Sequence, residues 1–119
     1  GGPLPERLLP VPLHPVRLRQ RGYNQSLELA RPLARRLGIA LEQNSCHRVL
    51  DTRPQADLPR RQRLHNLQRA FRLSHPPEAR HIALVDDVVT TGSTVNELAR
   101  LLLRAGVQRV DVWAVARTP

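Results

Sequence analysis

The chain has 119 residues and one cysteine, Cys46, so it is too short for two separate cores and cannot form an internal disulfide or a thiolate metal cage within these residues. All 19 Lys or Arg positions are arginine and the formal net charge is +9, a surface that attracts polyanions, whether a pyrophosphorylated small molecule or nucleic acid. No apolar run approaches the ~20 residues that cross a bilayer, so we expect no membrane insertion. From the length we expect a single domain over residues 1–119. With one cysteine, the expected compartment is the reducing cytoplasm.

The first predicted elements are a strand end and an arginine-rich loop. Residues Leu8–Leu13 are apolar with alternating prolines, which permits only the end of a strand followed by a stiff loop. Arg19 and Arg21 then precede Gly22, and guanidinium groups bind phosphate in a forked geometry. We therefore predict an anion-binding loop here. His14, at its start, is either a proton carrier or, as is more common, an ordinary loop residue.

A helix is predicted from about Ser26 to Leu37. Asn24 is a favourable N-cap residue type, and Gly38 provides a C-terminal stop. Tyr23 is expected to fix the preceding loop. Pro32 within a helix costs ~3 kcal/mol, so we expect a kink there or a later start.

The middle of the chain is predicted to be mostly irregular. His47–Leu50 is a short predicted strand, whereas Asp51–Asn66 is polar and contains prolines and arginines. We predict that this second segment is a long mobile loop, and such loops often serve as lids. Ala70–Leu73 resumes an apolar pattern and Ser74–Arg80 forms a turn. Cys46 is expected to be a small buried hydrophobe, because the sequence shows no evident context that would lower the pKa of its thiol.

The last third of the chain carries the clearest secondary-structure signals. The apolar run Ile82–Val85 predicts a buried parallel strand, and from Val95 onward apolar residues recur at helical spacing. The helix is predicted to end at Gly106, and Val107–Val115 returns as a β-branched strand. Strands that alternate with helices indicate an α/β fold with a central, mostly parallel sheet flanked by helices.

Between this strand and helix, the sequence places two carboxylates beside a hydroxyl-rich loop. Asp86 and Asp87 can accept hydrogen bonds from vicinal sugar hydroxyls. Backbone amides of Thr90–Thr94 can surround a phosphate ahead of the helix, and Gly92 lets the backbone approach it. Open α/β sheets bind ligands at this end of their strands, so we predict a phosphorylated-sugar site. The predicted ribose-phosphate residues are Val88, Val89, Thr90, Thr91, Gly92, Ser93 and Thr94.

A simpler interpretation of the same turn stays open. Thr94 and Glu97 have the spacing of a capping box, which would stabilise the start of the helix without any ligand. A capping box does not explain the paired acids. Other phosphate sites, such as mononucleotide loops, are the remaining alternative.

The segment Ile82–Thr94 resembles the signature of the phosphoribosyltransferase family: a hydrophobic strand, two acidic residues, two spacers and Thr-Thr-Gly-Ser/Gly-Thr. The resemblance implies a Rossmann-like type I fold and transfer of a phosphoribosyl group from 5-phosphoribosyl 1-pyrophosphate to a nitrogenous acceptor. It assigns catalytic roles to Asp86 and Asp87, which would hold the ribose hydroxyls. Mg²⁺ would reach the protein through the substrate, or through water to the two aspartates, with no direct protein ligand.

Three stretches also resemble a narrower group, the ComF/GntX proteins associated with bacterial DNA uptake. They are Pro10–His14 with Arg19–Gln25, Gln55–Arg63 with Asn66 and Phe71, and Leu84–Thr94. This resemblance implies that Arg19, Arg21 and Gly22 bind pyrophosphate, and that Gln55 and Arg63 belong to a mobile loop that closes over it.

Members of this group carry an upstream Cys-rich, zinc-ribbon-like segment. These 119 residues contain none, so we expect either a longer natural chain or a shortened relative.

Two other functions stay open. One is a regulator that senses phosphoribosyl pyrophosphate without turnover. The other is a basic accessory protein of DNA uptake, with DNA or competence-machinery proteins as partners, although three aromatic residues are few for a base-stacking platform.

Overall fold

The computed structural model describes residues 3–50, 59–89 and 93–117. Its elements in chain order are β1 (Arg7–Pro10), α1 (Pro15–Arg21), α2 (Gln25–Leu37), β2 (Ala40–Leu41), β3 (Cys46–Arg48), α3 (Arg60–Gln68), β4 (Phe71–Leu73), β5 (His81–Val89), α4 (Ser93–Arg104) and β6 (Arg109–Arg117). No helix within these ranges is both long and apolar enough to cross a membrane.

Four strands form a parallel sheet in the order β2-β1-β5-β6. The short strands β3 and β4 pair separately as an antiparallel ribbon. The predicted α/β class, with a mostly parallel central sheet flanked by helices, is confirmed. Pro10 at the end of β1 lies opposite Val85 of β5, so the carboxyl ends of these two strands are adjacent.

The sheet is covered on both faces, as parallel sheets require. Helix α2 packs on one face, where Ala30 and Ala34 contact Leu8, Ala83 and Val85. Helix α4 and the β3-β4 ribbon cover the other face. The buried residues there are Leu9, Val11, Cys46, Ala70, Phe71, Ile82, Leu84, Val95, Leu98, Leu102 and Val107.

Helix α2 follows the predicted boundaries closely. The side chain of Asn24 accepts a hydrogen bond from the Ser26 amide, and Gly38 ends the helix in the left-handed region with φ of 68°. The helix begins at Gln25 and continues through Pro32, so the expected later start is wrong. The N-cap stabilises the first turn, and small buried alanines let the helix approach the sheet.

Two helices replace segments that were expected to be loops. Helix α1 lies within the predicted arginine-rich loop, and α3 occupies most of the second half of Asp51–Asn66. Helix α1 has no buried residue, and the described side chains of α3 are mainly exposed. Neither helix shows a clear apolar stripe, so periodicity could not reveal them. The rest of the predicted mobile loop, residues 51–58, lies outside the described residues.

Strand β5 is longer than expected. It runs through Asp86 and Asp87 to Val89, and Asp86 lies opposite Ala114 of β6. The aspartates therefore belong to the strand, not to the turn after it. Parallel pairing with β6 extends the strand past its apolar run, a tertiary effect that local propensity does not capture.

Candidate functional site

A pocket of about 180 Å³ lies at the carboxyl ends of β1 and β5. This is the edge where open α/β sheets bind ligands. The β1-α2 connection, β3, β5 and the first turn of α4 all contribute to it. The lining residues are Val11, Leu13, Arg21, Asn24, Gln25, Ser26, Arg48, Asp86, Asp87 and Thr94.

The two predicted catalytic carboxylates both line this pocket. Asp86 Oδ1 accepts hydrogen bonds from the Asp87 amide at 3.0 Å and from Ser26 Oγ at 3.3 Å. Burial and the adjacent Asp87 carboxylate raise the pKa of Asp86 to about 6, and the two hydrogen bonds oppose this shift. Asp86 is therefore ionised at neutral pH, but its charge is less well solvated than that of a surface carboxylate.

The N-terminus of α2 is anchored to the sheet at this pocket. Asn24 Nδ2 donates to the Val11 carbonyl at 3.2 Å, while its Oδ1 caps the helix by accepting the Ser26 amide at 2.9 Å. The Val11 amide in turn donates to the carbonyl of Val85 at 2.9 Å. The predicted capping role of Asn24 is thus confirmed, and it connects α2 to both central strands.

The arginine-rich segment is divided between the pocket and solvent. Arg19 and Arg21 occupy the last turn of α1, and Gly22 ends that helix in the left-handed region with φ of 82°. Of these two arginines, Arg21 alone lines the pocket, whereas Arg19 is exposed outside it. Tyr23 follows, with 51% of its surface exposed.

The predicted phosphate loop is described only at its ends. Val88 and Val89 belong to β5, Ser93 is the first residue of α4, and Thr94 lines the pocket. Helix α4 thus begins one residue before the expected cap, Thr94. Thr90, Thr91 and Gly92 lie outside the described residues, as does Gln55. Arg63 lies on α3, exposed and outside the set of residues that line the pocket.

The pocket residues that the sequence did not assign to the site include Arg48 and Ser26. Arg48, at the end of β3, lines the pocket, and its guanidinium carbon lies 5.3 Å from the centroid of the Phe71 ring. A cation–π contact of this kind holds the group in place. Ser26 was treated only as the start of a helix. No local motif identifies Arg48, but the small polar Ser26 two residues after an N-cap was a usable signal.

Two further predictions concern isolated reactive side chains. His14 Nδ1 accepts the Val16 amide at 3.2 Å and caps α1, which supports the structural interpretation of this residue. Cys46 is buried, and burial raises the pKa of its thiol to about 12. A neutral, shielded thiol is a poor nucleophile, so the expectation of a small buried hydrophobe is confirmed.

Within the described part of the chain, no group of three or more His, Cys, Asp or Glu side chains is placed to hold a metal ion. Asp86 and Asp87 do present adjacent carboxylates to the pocket, and carboxylate oxygens suit Mg²⁺ through an intervening water. The two residues therefore fit a magnesium ion that is held through water.

Comparison with known proteins adds independent evidence. The family described as "Phosphoribosyl transferase domain" matches residues 23–119. "DNA utilization protein YhgH" of Salmonella typhi is 50% identical over 118 residues, which are 99% of this chain and 52% of that protein. "Competence protein F" of Haemophilus influenzae is 44% identical over 117 residues, 96% of this chain and 51% of that protein.

A more distant relative is "Competence protein ComFC" of Streptococcus pneumoniae, which is 30% identical over 107 residues, 90% of this chain and 46% of that protein. The chain spans about half the length of these relatives. Their names confirm the predicted resemblance to the ComF group. With its parallel sheet and the matched residues 23–119, the chain belongs to the phosphoribosyl transferase domain family.

Proposed function

We propose that this domain binds 5-phosphoribosyl 1-pyrophosphate with Mg²⁺ and transfers the phosphoribosyl group to a nitrogenous acceptor. The observation that carries the proposal is the composition of one pocket, in which Asp86 and Asp87 lie together with Arg21 and Arg48. Acidic and basic groups in one small pocket match a ligand that has both a neutral diol and a polyanionic group.

The acidic side of the pocket suits the sugar. Carboxylates repel phosphate but accept hydrogen bonds from hydroxyls. Asp86 and Asp87 follow the buried part of β5. Pairing with β1 reaches Val85, and pairing with β6 continues at Asp86 and Val88, so the neighbouring strands hold the backbone of this segment. They would hold the 2- and 3-hydroxyls of the ribose and stabilise the positive charge that develops on the ring.

The basic side of the pocket suits the pyrophosphate. Arg21 ends α1 beside Gly22, and Arg48 is held against Phe71. Guanidinium groups bind phosphate oxygens in pairs and favour the leaving group as it gains charge. At the other end of the ligand, the N-terminal turn of α4, with Thr94, would bind the 5-phosphate through unpaired amides and the helix dipole.

The proposed reaction is a displacement at the anomeric carbon. The bond from C1 to the pyrophosphate oxygen breaks, and the lone pair of the acceptor nitrogen forms the new bond to C1. The nitrogen then loses its proton to solvent. Mg²⁺, which Asp86 and Asp87 would hold through water, would neutralise negative charge on the pyrophosphate leaving group.

The names of the relatives suggest where this reaction would be used. They are described as DNA utilization and competence proteins, so we propose that the phosphoribosyl group is transferred in the metabolism of nucleotides or bases from DNA that has been taken up. Competence-machinery proteins would then be its partners.

A second candidate function is binding of nucleic acid. Arg60 and Arg61 on α3 are exposed, and on the adjacent α4 so are Arg100 and Arg104. Helix α3 has no acidic residue in its first turn. A basic face of this kind attracts a phosphate backbone without reading its sequence, and it is separate from the Asp86 pocket.

The primary experiment is calorimetry with 5-phosphoribosyl 1-pyrophosphate and Mg²⁺, compared with ribose 5-phosphate and AMP. We expect the pyrophosphorylated ligand to bind more tightly than either of the others. Asp87→Asn should weaken binding about tenfold, because hydrogen bonds to a charged acceptor contribute ~1.5–3 kcal/mol. Wild-type protein that binds none of these ligands would refute the proposal.

Two further measurements separate the alternatives. Acceptor-dependent release of pyrophosphate with a panel of purines, pyrimidines and anthranilate-like compounds supports an enzyme, whereas tight binding without release supports a sensor. DNA binding that falls steeply with salt, and is abolished by Arg60→Gln with Arg100→Gln, supports the basic face. Retention of DNA binding in that double variant would exclude it.

A further inference from the structure

We infer that Ser26 is a positioning residue, which ties the Asp86 carboxylate to the β1-α2 connection that carries Arg21. The inference rests on the proposed function, since it concerns how the sugar-binding and pyrophosphate-binding parts of one pocket are held together. Its basis is a closed set of hydrogen bonds that involves three elements far apart in the sequence.

The hydrogen bonds form a ring. Ser26 Oγ donates to Asp86 Oδ1 at 3.3 Å, and the Ser26 amide donates to Asn24 Oδ1 at 2.9 Å. Asn24 Nδ2 donates to the carbonyl of Val11 at 3.2 Å, and the Val11 amide donates to the carbonyl of Val85 at 2.9 Å. Val85 precedes Asp86 in β5, so its backbone closes the ring.

Burial makes this arrangement stiff. Ser26 is 4% exposed and Val85 is 1% exposed. A hydrogen bond shielded from water is not easily exchanged for one to solvent, and leaving a buried polar group without a partner is costly. The side chain of Asp86 is therefore held by a helix terminus that is itself fixed to β1.

These hydrogen bonds connect the acidic side of the pocket with its basic side. Arg21 lies in the same β1-α2 connection as Asn24, and both residues line the pocket with Asp86. Among the described residues, the charged groups that line the pocket with Asp86 are Asp87 on β5, Arg21 at the end of α1 and Arg48 on β3. Replacing Ser26 should consequently change the titration of the Asp86 carboxyl, whereas Arg21 and Arg48 should keep their positions.

A ligand-free measurement tests the contact itself. In Ser26→Ala, the carbon-detected NMR titration of the Asp86 carboxyl should move to higher pH, because the variant lacks a donor to the charged form. The carboxyl of Asp111, at the opposite end of the sheet, should titrate unchanged in the same spectra and serves as an internal control. An unchanged Asp86 titration in folded Ser26→Ala would overturn the inference.

A double-mutant cycle tests the consequence for binding. Ser26→Ala should weaken binding of Mg²⁺ and 5-phosphoribosyl 1-pyrophosphate about fivefold, as expected for loss of one hydrogen bond. In an Asp86→Asn background, the same change should have a markedly smaller effect. Equal effects in both backgrounds would mean that Ser26 acts independently of Asp86 and would overturn the inference.

Two control variants separate positioning from general structure. Ser45→Ala removes another fully buried serine hydroxyl, one that has no hydrogen-bond partner among the described residues, and should change neither the Asp86 titration nor binding. Ser26→Thr keeps the hydroxyl and should restore the wild-type titration. If Ser26→Thr titrates like Ser26→Ala, the hydroxyl is not responsible.

The two proposals can fail separately. If the wild-type protein does not bind the phosphoribosyl ligand, the proposed function is wrong, while the NMR titration still decides whether Ser26 controls Asp86. If the ligand binds but the titration does not respond to Ser26→Ala, the proposed function stands and the positioning role does not.

Discussion

His81 and Asp111 join β5 to β6 at the end of the sheet opposite the pocket. Nε2 of His81 lies 2.7 Å from Oδ2 of Asp111, and Arg109 Nε donates to the other carboxylate oxygen at 3.1 Å. His81 is buried, whereas Asp111 is partly exposed. The contact therefore satisfies an imidazole that water cannot reach easily.

Asp111→Ala should lower the free energy of unfolding by about 1–2 kcal/mol, because it leaves the buried imidazole without its partner. The hydrogen bond from His81, followed by that from Arg109, lowers the pKa of Asp111. The carboxylate consequently stabilises the fold above its unfolded pKa, and this contribution is lost as pH falls through the lower folded value. Urea unfolding at pH 7 and in the acid range measures both effects. A difference in unfolding free energy between variant and wild type that does not change with pH would contradict the predicted pH dependence.

Asp86→Asn should make the protein more stable at pH 8 while it weakens ligand binding. The folded-state pKa of Asp86 is raised to about 6, so ionisation destabilises the fold, and stability falls as pH rises from the unfolded value toward 6. Partial exposure reduces the gain from Asn to about 1 kcal/mol.

Thermal unfolding across pH checks this prediction. The variant and the wild type should have similar melting temperatures below about pH 3, where the carboxyl is protonated in both states. A variant that is less stable than wild type at pH 8 would show that the Asp86 charge is stabilised in the folded protein.

Arg21→Gln should weaken binding of the pyrophosphorylated ligand about tenfold and change ribose 5-phosphate affinity much less. Arg19→Gln is the matched control, since both residues lie in the last turn of α1 but Arg21 alone of the two lines the pocket. Calorimetry with both ligands gives the comparison. Equal losses in the two variants would indicate a general charge effect.

Gly22→Ala should destabilise the protein by about 1 kcal/mol and also reduce ligand affinity. A side chain at φ of 82° is strained even though a Cβ there would meet no atom within 4 Å. Gly38→Ala introduces similar strain at φ of 68° in a helix C-cap away from the pocket lining. It should lower stability by a similar amount and leave affinity unchanged, which separates backbone strain from a role in the site.

Cys46 should resist modification by thiol reagents at pH 8 until the protein unfolds. Its side chain is buried, and burial raises its pKa to about 12, so the reactive thiolate is scarce. The rate of labelling should increase with urea in parallel with unfolding. Rapid labelling in buffer would show that the β3-β4 ribbon opens locally.

The sequence identified the parts of the fold that local chemistry determines. The buried run of β5, the Asn24 cap and the Gly38 stop all follow from residue type and spacing. Helix α3 did not, because its polar residues give no helical stripe. In the fold it contacts α4, and local spacing does not predict a contact of this kind.

The residues of the site, like the elements of the fold, were predicted only in part. Asp86 and Asp87 belong to a local motif, so their joint presence in the pocket could be expected. Arg48 enters the pocket from a separate ribbon, and Ser26 reaches Asp86 only through the packing of α2 against the sheet. No spacing within the sequence reveals such contacts.

The position of β1 has a consequence for synthesis of the chain. Arg7 of β1 pairs with Ala40 on one side and with Ile82 on the other. A nascent chain therefore exposes one hydrogen-bonding edge of β1 until β5 leaves the ribosome, and unpaired strand edges are where chaperones act and aggregation begins. Because β5 also carries Asp86, the strand that protects this edge brings the acidic residues of the pocket with it.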